Sequence, residues 1–259
     1  MELNNSNYFS PRAMKEYWSV SQFKTFNKCE AAGLAELNGE YEREETDALI
    51  IGKYVDAWFS NEIDIFMDQY GDVITSKRTG TLLAKYQHAK DMINCVQNDP
   101  LMLAYLEGNK QTIMQAELFG VPWKVKLDIY NGNRIVDFKT VKDFENVFDT
   151  GYGYRSWIEY WGYDIQGAVY QKVVELVTGK RLPFYLEAVT KEKTPDHAII
   201  QIPQHILDAA LGMVEAKIER FDLIKNGLVD PIRCEHCDYC KKTKLLKAPE
   251  VYEIEEAKD

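Results

Sequence analysis

The chain has 259 residues, 46% of them hydrophobic and 28% charged, with a formal net charge of −10 and a pI near 5.1. This composition supports a sizeable core, and no stretch approaches the roughly 20 consecutive apolar residues that cross a bilayer. MELNNSNYFSPRAMKEYW lacks a signal-peptide run, so a cytoplasmic location with no membrane partner is the expectation. Net acidity argues against broad, non-specific nucleic-acid binding but is compatible with a local basic groove, because DNA requires a patch and not a basic average.

No internal repeat, low-complexity tract or Pro/Gly/Ser-rich linker divides the chain, so residues 1–259 read as a single domain whose first fifteen residues look loosely held. SVSQFKTFNKCEAAGLAEL predicts a helix capped by Ser19 or Ser21, with Phe23, Phe26 and Leu34 on its apolar face. DALIIGKYVDAWFSNEIDIFMDQY predicts a longer helix with Tyr54, Trp58 and Ile65 at apolar positions, and residues 79–108 continue helical. TIMQAELFGVPWKVKLDIYNGNRIVDFKTV is β-rich, with one turn at Gly120 and Pro122 and a hairpin at Asn131-Gly132. Residues 155–178 predict a helix, and FYLEAVTKEK and HAIIQIP two more strands. A long amphipathic helix then runs from near Pro203 to Gly227. This order implies an α/β fold: a central mixed β-sheet flanked by helices.

The hairpin carries charges where a buried strand pair would not. Asp137 and Lys139 are two apart, so they share a face, while Phe138 points away from them. With the turn at Asn131-Gly132, Asp128 on the partner strand comes within reach of both. Two close carboxylates repel unless a cation joins them. A hard divalent ion such as Mg²⁺ suits oxygen ligands of this kind, and it can activate water and stabilise the charge that builds on a phosphate during hydrolysis. These three residues alone are explained as well by a surface ion pair. Neighbouring residues shift the balance. Asp56 stands among Ala57, Trp58 and Phe59, and Gln166 and Tyr170 lie four apart on one helix face, able to hydrogen-bond a nucleotide phosphate or sugar. Glu117 either extends the acidic group or is exposed. Lys77, Arg78, Lys85 and Lys90, and separately Lys241, Lys242 and Lys244, are candidates for a DNA groove or a solvated face. Trp157, Tyr160 and Trp161 are candidates for base stacking or packing. His88, His197, His205 and His236 stand apart from the acids and take no catalytic role.

Three of the five cysteines crowd into RCEHCDYC. In a chain without export signals, such spacing reads as metal ligation or redox chemistry. Cys234, Cys237 and Cys240 supply three thiolates, and zinc would need a fourth ligand from Cys29 or His236. Cys95, alone on an apolar helix, reads as a core residue.

Taken in order from Ser19 to Cys240, SVSQFKTFNKCEA, IIGKYVDAWF, KVKLDIY, IVDFKT and DIQGAVYQKVV resemble the PD-(D/E)XK nuclease superfamily, and within it the RecB-like and RecE-like (exonuclease VIII-like) phage exonucleases. The resemblance implies a restriction-endonuclease-like core. It implies Asp128 and Asp137 as metal-binding acids, Lys139 as the lysine of the D-x-K signature, and Gln166 and Tyr170 as a DNA-contacting Q-x-x-x-Y pair. RecB-like enzymes usually carry a histidine four residues after a glycine in the second segment; Asp56 occupies that position here and becomes a third candidate ligand. The activity implied is a Mg²⁺- or Mn²⁺-dependent exonuclease acting 5′-to-3′ on double-stranded DNA ends in recombination. A single-strand annealing protein is the implied partner, and a ring-like homo-oligomer the implied assembly. Some RecB-like nucleases close a 4Fe–4S cluster with one N-terminal and three C-terminal cysteines, which casts Cys29 with Cys234, Cys237 and Cys240 as a cluster-binding set, although the last spacing here is shorter. The competing expectation is a non-catalytic, metal-stapled nucleic-acid-binding module on a nuclease scaffold; a cysteine-based redox protein is a third.

Overall fold

Ser10 and Ser19 open the first two helices by accepting backbone N–H groups of the first turn, and Ser19 with Gln22 closes a capping box. The computed structural model describes residues 1–149, 151–246, 248 and 249. Helix α1 (Pro11–Glu16) lies partly within the segment expected to be loosely held. Within that segment Tyr8 and Ala13 are buried, and the buried Lys124 ammonium donates to the Tyr8 carbonyl and sits 4.5 Å from the Tyr8 ring centroid. A buried lysine needs an acceptor and a counter-field, and the N-terminal segment supplies both.

Several helices expected as single runs are broken. α2 (Val20–Lys28) and α3 (Glu30–Asn38) part at Cys29, whose backbone is extended at φ −162° and ψ 111°. α4 (Asp47–Phe59) and α5 (Ile63–Ile74) part near Asn61, which adopts φ 61°. The helical stretch expected over 79–108 resolves into α6 (Ala84–Gln97) and α7 (Pro100–Tyr105). Asp99 caps α7, and its proline sits where a missing N–H costs nothing.

The β-rich region forms β1 (Asn109–Leu118), β2 (Val121–Tyr130) and β3 (Ile135–Val141), followed by a small separate hairpin of β4 (Val147–Asp149) and β5 (Gly153–Arg155). The helix expected over 155–178 is instead α8 (Trp157–Tyr160) and α9 (Tyr163–Thr178), separated by Gly162 in the left-handed region. β6 (Phe184–Thr190) and β7 (His197–Gln201) complete a five-stranded sheet in the order β1-β2-β3-β6-β7. The β3–β6 pairing is parallel and the others antiparallel, so the sheet is mixed as expected. The parallel step needs a crossover, and α8 and α9 provide it. α10 (Gln204–Lys225) runs to Gly227, and α11 (Asp238–Lys242) carries the last cysteine.

Helices cover both sheet faces. One layer packs Phe23, Phe26, Trp123, Leu127, Val169, Phe184 and Phe221; the other packs Val55, Met92, Ile129, Phe138 and Val189. Two glycines set how closely the helices approach the strands. A Cβ at Gly52 would stand 2.6 Å from Thr140 Oγ1, so glycine lets α4 lie against β3. A Cβ at Gly167 would stand 2.5 Å from the Phe184 ring, so glycine lets α9 lie against β6. Asp56 and Gln166 ride on those two helices. Among the described residues, no helix is long and apolar enough to cross a membrane.

Candidate active site

β2 and β3 pair through only two residue pairs, Tyr130↔Ile135 and Ile129↔Val136. Beyond these the strands part, and the Phe138 N–H donates to Asp128 Oδ2 at 3.1 Å in place of a ladder carbonyl. The side chain thus replaces a backbone partner, and the space opened by the splay receives the charges. Lys139 Nζ lies 2.6 Å from Asp137 Oδ2 and 3.5 Å from Asp128 Oδ2, joining both acids. From α9, Gln166 Nε2 donates to Asp137 Oδ1 at 2.6 Å. Gln111, at φ 52° on β1, donates to Asp128 Oδ1 at 3.4 Å.

Asp137 is fully buried, and the Lys139 ammonium is the charged partner of its Oδ2. Burial pushes its carboxyl up to about 7, Lys139 opposes that shift, and Asp128 adds to it. Asp56 is likewise pushed up to about 7, by burial first and then by the charge of Asp128. Burial works against the charge of Lys139, but the two aspartates more than offset it and hold the ammonium well above the ordinary lysine range. Tyr170 is held well above the ordinary tyrosine range by burial and by the same two acids.

Asp56, Asp128, Lys139, Gln166 and Tyr170 all line one cleft of about 720 Å³, with Asp137 beneath Lys139 and Gln166. The cleft also collects Lys24, Lys28, Arg43, Lys53 and Lys126. Arg43 pairs with Glu36, Lys53 with Glu45, and Lys126 with Glu62. Lys24 and Lys28 pair with no carboxylate among the described residues; they lie over the Tyr163 and Trp161 rings at 5.2 and 5.4 Å. The acidic total therefore coexists with a local basic wall.

Other sequence candidates fall elsewhere. Glu117 is exposed and pairs in register with Pro122, six residues along β1 from Gln111. Lys77, Arg78 and Lys90 are exposed outside the cleft, Lys85 pairs with Asp47, and Lys242 pairs with Glu44. Trp157 packs in the core, with Tyr160 and Trp161 in edge contact beside it. None of the four histidines lines the cleft. No motif in the sequence singles out Lys24, Lys28, Lys126 or Gln111 as cleft residues. Lys24 and Lys28 carried one available signal, their one-turn spacing on the helix that Ser19 caps.

The model of the PDDEXK-like domain of unknown function (DUF3799) matches residues 19–243. The chain belongs to this PDDEXK-like family. A crystal structure of a "Putative exonuclease" from Eubacterium rectale is similar, at 40% identity, with 97% of each chain covered and a TM-score of 0.91. No curated protein matches. The mixed sheet with its flanking helices is thus a PDDEXK-like nuclease fold.

This PDDEXK-like chain also gathers Cys29, Cys234, Cys237 and Cys240 at the far end of α2, with all four sulfurs within 4.8 Å of one another. It is the one group of this kind among the described residues; the carboxylates of the cleft are not drawn together as tightly. Cys95 is half-buried, 3.2 Å from His197 Nδ1, and His197 Nε2 lies 2.9 Å from Asp99.

Proposed function

We propose that the chain is a metal-dependent deoxyribonuclease that degrades double-stranded DNA from its ends, with Mg²⁺ or Mn²⁺ as its resident ion. The observation that carries this reading is the meeting of Asp128, Asp137 and Lys139 where β2 and β3 part, at the floor of a cleft whose wall includes Lys24 and Lys28. The Eubacterium rectale neighbour, described as a "Putative exonuclease", supports the end-directed mode. Resemblance to RecE-like enzymes supports 5′-to-3′ resection in phage-type recombination, a single-strand annealing partner and a homo-oligomer.

The residues fit a hard divalent cation. The donors of Asp56, Asp128 and Asp137 are all oxygens, and burial and the charge of Asp128 push the carboxyls of Asp56 and Asp137 up to about 7, a cost that a bound cation would offset. When bound, such an ion supplies water activation and charge neutralisation at the phosphorus. The chain's own groups do the rest. Lys139 stays protonated and is placed to orient a water or neutralise a non-bridging phosphate oxygen. Gln166 fixes the rotamer of Asp137, and Tyr170, protonated, offers a hydroxyl to the cleft. Lys24 and Lys28 hold the flanking phosphates.

End-labelled duplexes incubated with the chain in Mg²⁺, in Mn²⁺ and in EDTA test the reading. Stepwise shortening from the 5′ end, abolished by EDTA and by Asp137→Ala, is expected. Intact duplex in both ions overturns it.

A further inference from the structure

We propose that Cys29, Cys234, Cys237 and Cys240 hold one tetrahedral zinc ion, in place of an iron–sulfur cluster, and that this ion fixes the helix lining the DNA cleft. The second half rests on the nuclease reading of that cleft; the first does not.

Sulfur spacing decides between the two occupants. Cys29 Sγ lies 3.6 Å from Cys240 Sγ, Cys234 Sγ lies 3.9 Å from Cys240 Sγ, and no pair exceeds 4.8 Å. A single ion with zinc–sulfur bonds of about 2.3 Å sets tetrahedral edges of about 3.8 Å. A cubane assigns each thiolate to a different iron, so the spacing between irons adds to that between sulfurs and pushes them farther apart. The quartet therefore encloses room for one ion. The four thiols are free, and 3.6 Å is well beyond a disulfide bond.

The backbone supports that occupant. The Cys237 N–H points at Cys234 Sγ at 3.3 Å, and the Cys240 N–H at Cys237 Sγ at 3.4 Å, so two sulfurs accept main-chain hydrogen bonds that favour thiolate. Four thiols binding one Zn²⁺ release four protons and leave a site of charge −2. Arg233 stands beside it, donating to the Cys240 carbonyl at 2.7 Å. His236 is not the fourth ligand: it is exposed, and its Nδ1 contacts the Cys234 carbonyl at 2.6 Å. Cys29 takes that place because the chain is extended there, between α2 and α3.

The consequence lies in connectivity. The site ties Cys29 to a segment more than 200 residues later, so it closes a very long loop. Glu30 adds two hydrogen bonds from Arg220 and one from the Ile232 N–H next to it. The residue before Cys29 is Lys28, and Lys24 lies one turn earlier, both in the cleft. The ion thereby anchors the C-terminal end of the helix that presents these cations.

The test is metal content of the full chain, purified anaerobically from cells supplied with both iron and zinc. About one zinc per chain, with no acid-labile sulfide and no visible absorption, is expected. Iron with sulfide, a single iron, or a metal-free protein would each overturn the proposal. Cobalt replacing zinc should show the intense visible bands of a tetrahedral tetrathiolate; a weak octahedral spectrum argues the other way. Cys237→Ser should lower zinc occupancy at least tenfold and, in the non-cutting Asp137→Ala background, weaken duplex binding several-fold. Unchanged occupancy overturns the site, and unchanged binding overturns the anchoring. If that variant does not fold, chelator-stripped Asp137→Ala protein supplies the same binding comparison. Asp137→Ala keeps its zinc whether or not the parent chain cuts DNA, so the two readings fail separately.

Discussion

Gln166 on α9 donates its amide to the buried Asp137 on β3 at 2.6 Å, a bond that reaches from the crossover helix to the central strand. This amide partners one oxygen of a carboxyl that burial pushes up to about 7, and it fixes that oxygen's direction. Gln166→Leu should therefore lower the nuclease rate about 10- to 100-fold, the usual effect of removing a group that orients a ligand. Duplex affinity should change little. Equal losses in rate and in binding would show that Gln166 contacts DNA instead of positioning Asp137.

Lys139 is the cation between two acids, and removing it leaves both uncompensated. Lys139→Met should abolish measurable cleavage and destabilise the fold by about 3–5 kcal/mol, the typical cost of breaking a buried pair. The loss should depend on pH. Without the ammonium, burial and Asp128 hold Asp137 above its unfolded value, so the folded state binds more protons than the unfolded state. Stability then falls as pH rises through the folded value. The gap in Tm between variant and parent should be wider at about pH 8 than at about pH 5.5. A gap independent of pH would mean that lost packing, and not charge, destabilises the variant.

The D-x-K strand and its partner acid were legible because two local rules converge. Period-two alternation puts Asp137 and Lys139 on one face, and a turn beginning at Asn131-Gly132 brings β2 back beside them, with residues 131–134 as the connection that pairs Tyr130 with Ile135. What was not legible depends on breaks and on distance. Cys29, Asn61 and Gly162 each interrupt a run of helix-compatible residues, Cys29 with an extended backbone and Asn61 and Gly162 with positive φ. Tyr8 reached its place through Lys124, 116 residues away, which no local pattern announces. The dense charge run at 77–90 is the sequence's most visible basic stretch, whereas the cleft takes Lys24 and Lys28 from a helix that looks like ordinary amphipathic surface.

Lys24 is pushed down to about 8, by burial first and then by the charge of Lys139. A lysine so depressed loses its charge as pH rises through that value, and with it a phosphate contact. In the Asp137→Ala background, duplex affinity should fall several-fold between about pH 7 and pH 9, at fixed salt. Lys24→Arg should flatten that profile, because a guanidinium stays charged throughout. Lys24→Ala should bind more weakly at every pH, with a salt dependence shallower by about one phosphate. An identical pH profile in the parent and the arginine variant would place the titrating group elsewhere.

Asp56 rides on α4, and Gly52 brings that helix close enough to β3 for Asp56 to share the cleft with Asp128. Burial and the charge of Asp128 hold it at about 7, against the opposing charges of Lys139 and Lys126. An imidazole at that position keeps one donor atom but favours transition metals over Mg²⁺. Asp56→His should therefore retain cleavage within about tenfold in Mn²⁺ and lose more in Mg²⁺, while Asp56→Ala should lose on the order of 100-fold in both. Binding of Mn²⁺, followed by its paramagnetic signal, should weaken in the alanine variant and persist in the histidine variant. An alanine variant as active as the parent would mean that Asp56 is a buried acid without a ligand's role, and that Asp128 and Asp137 suffice.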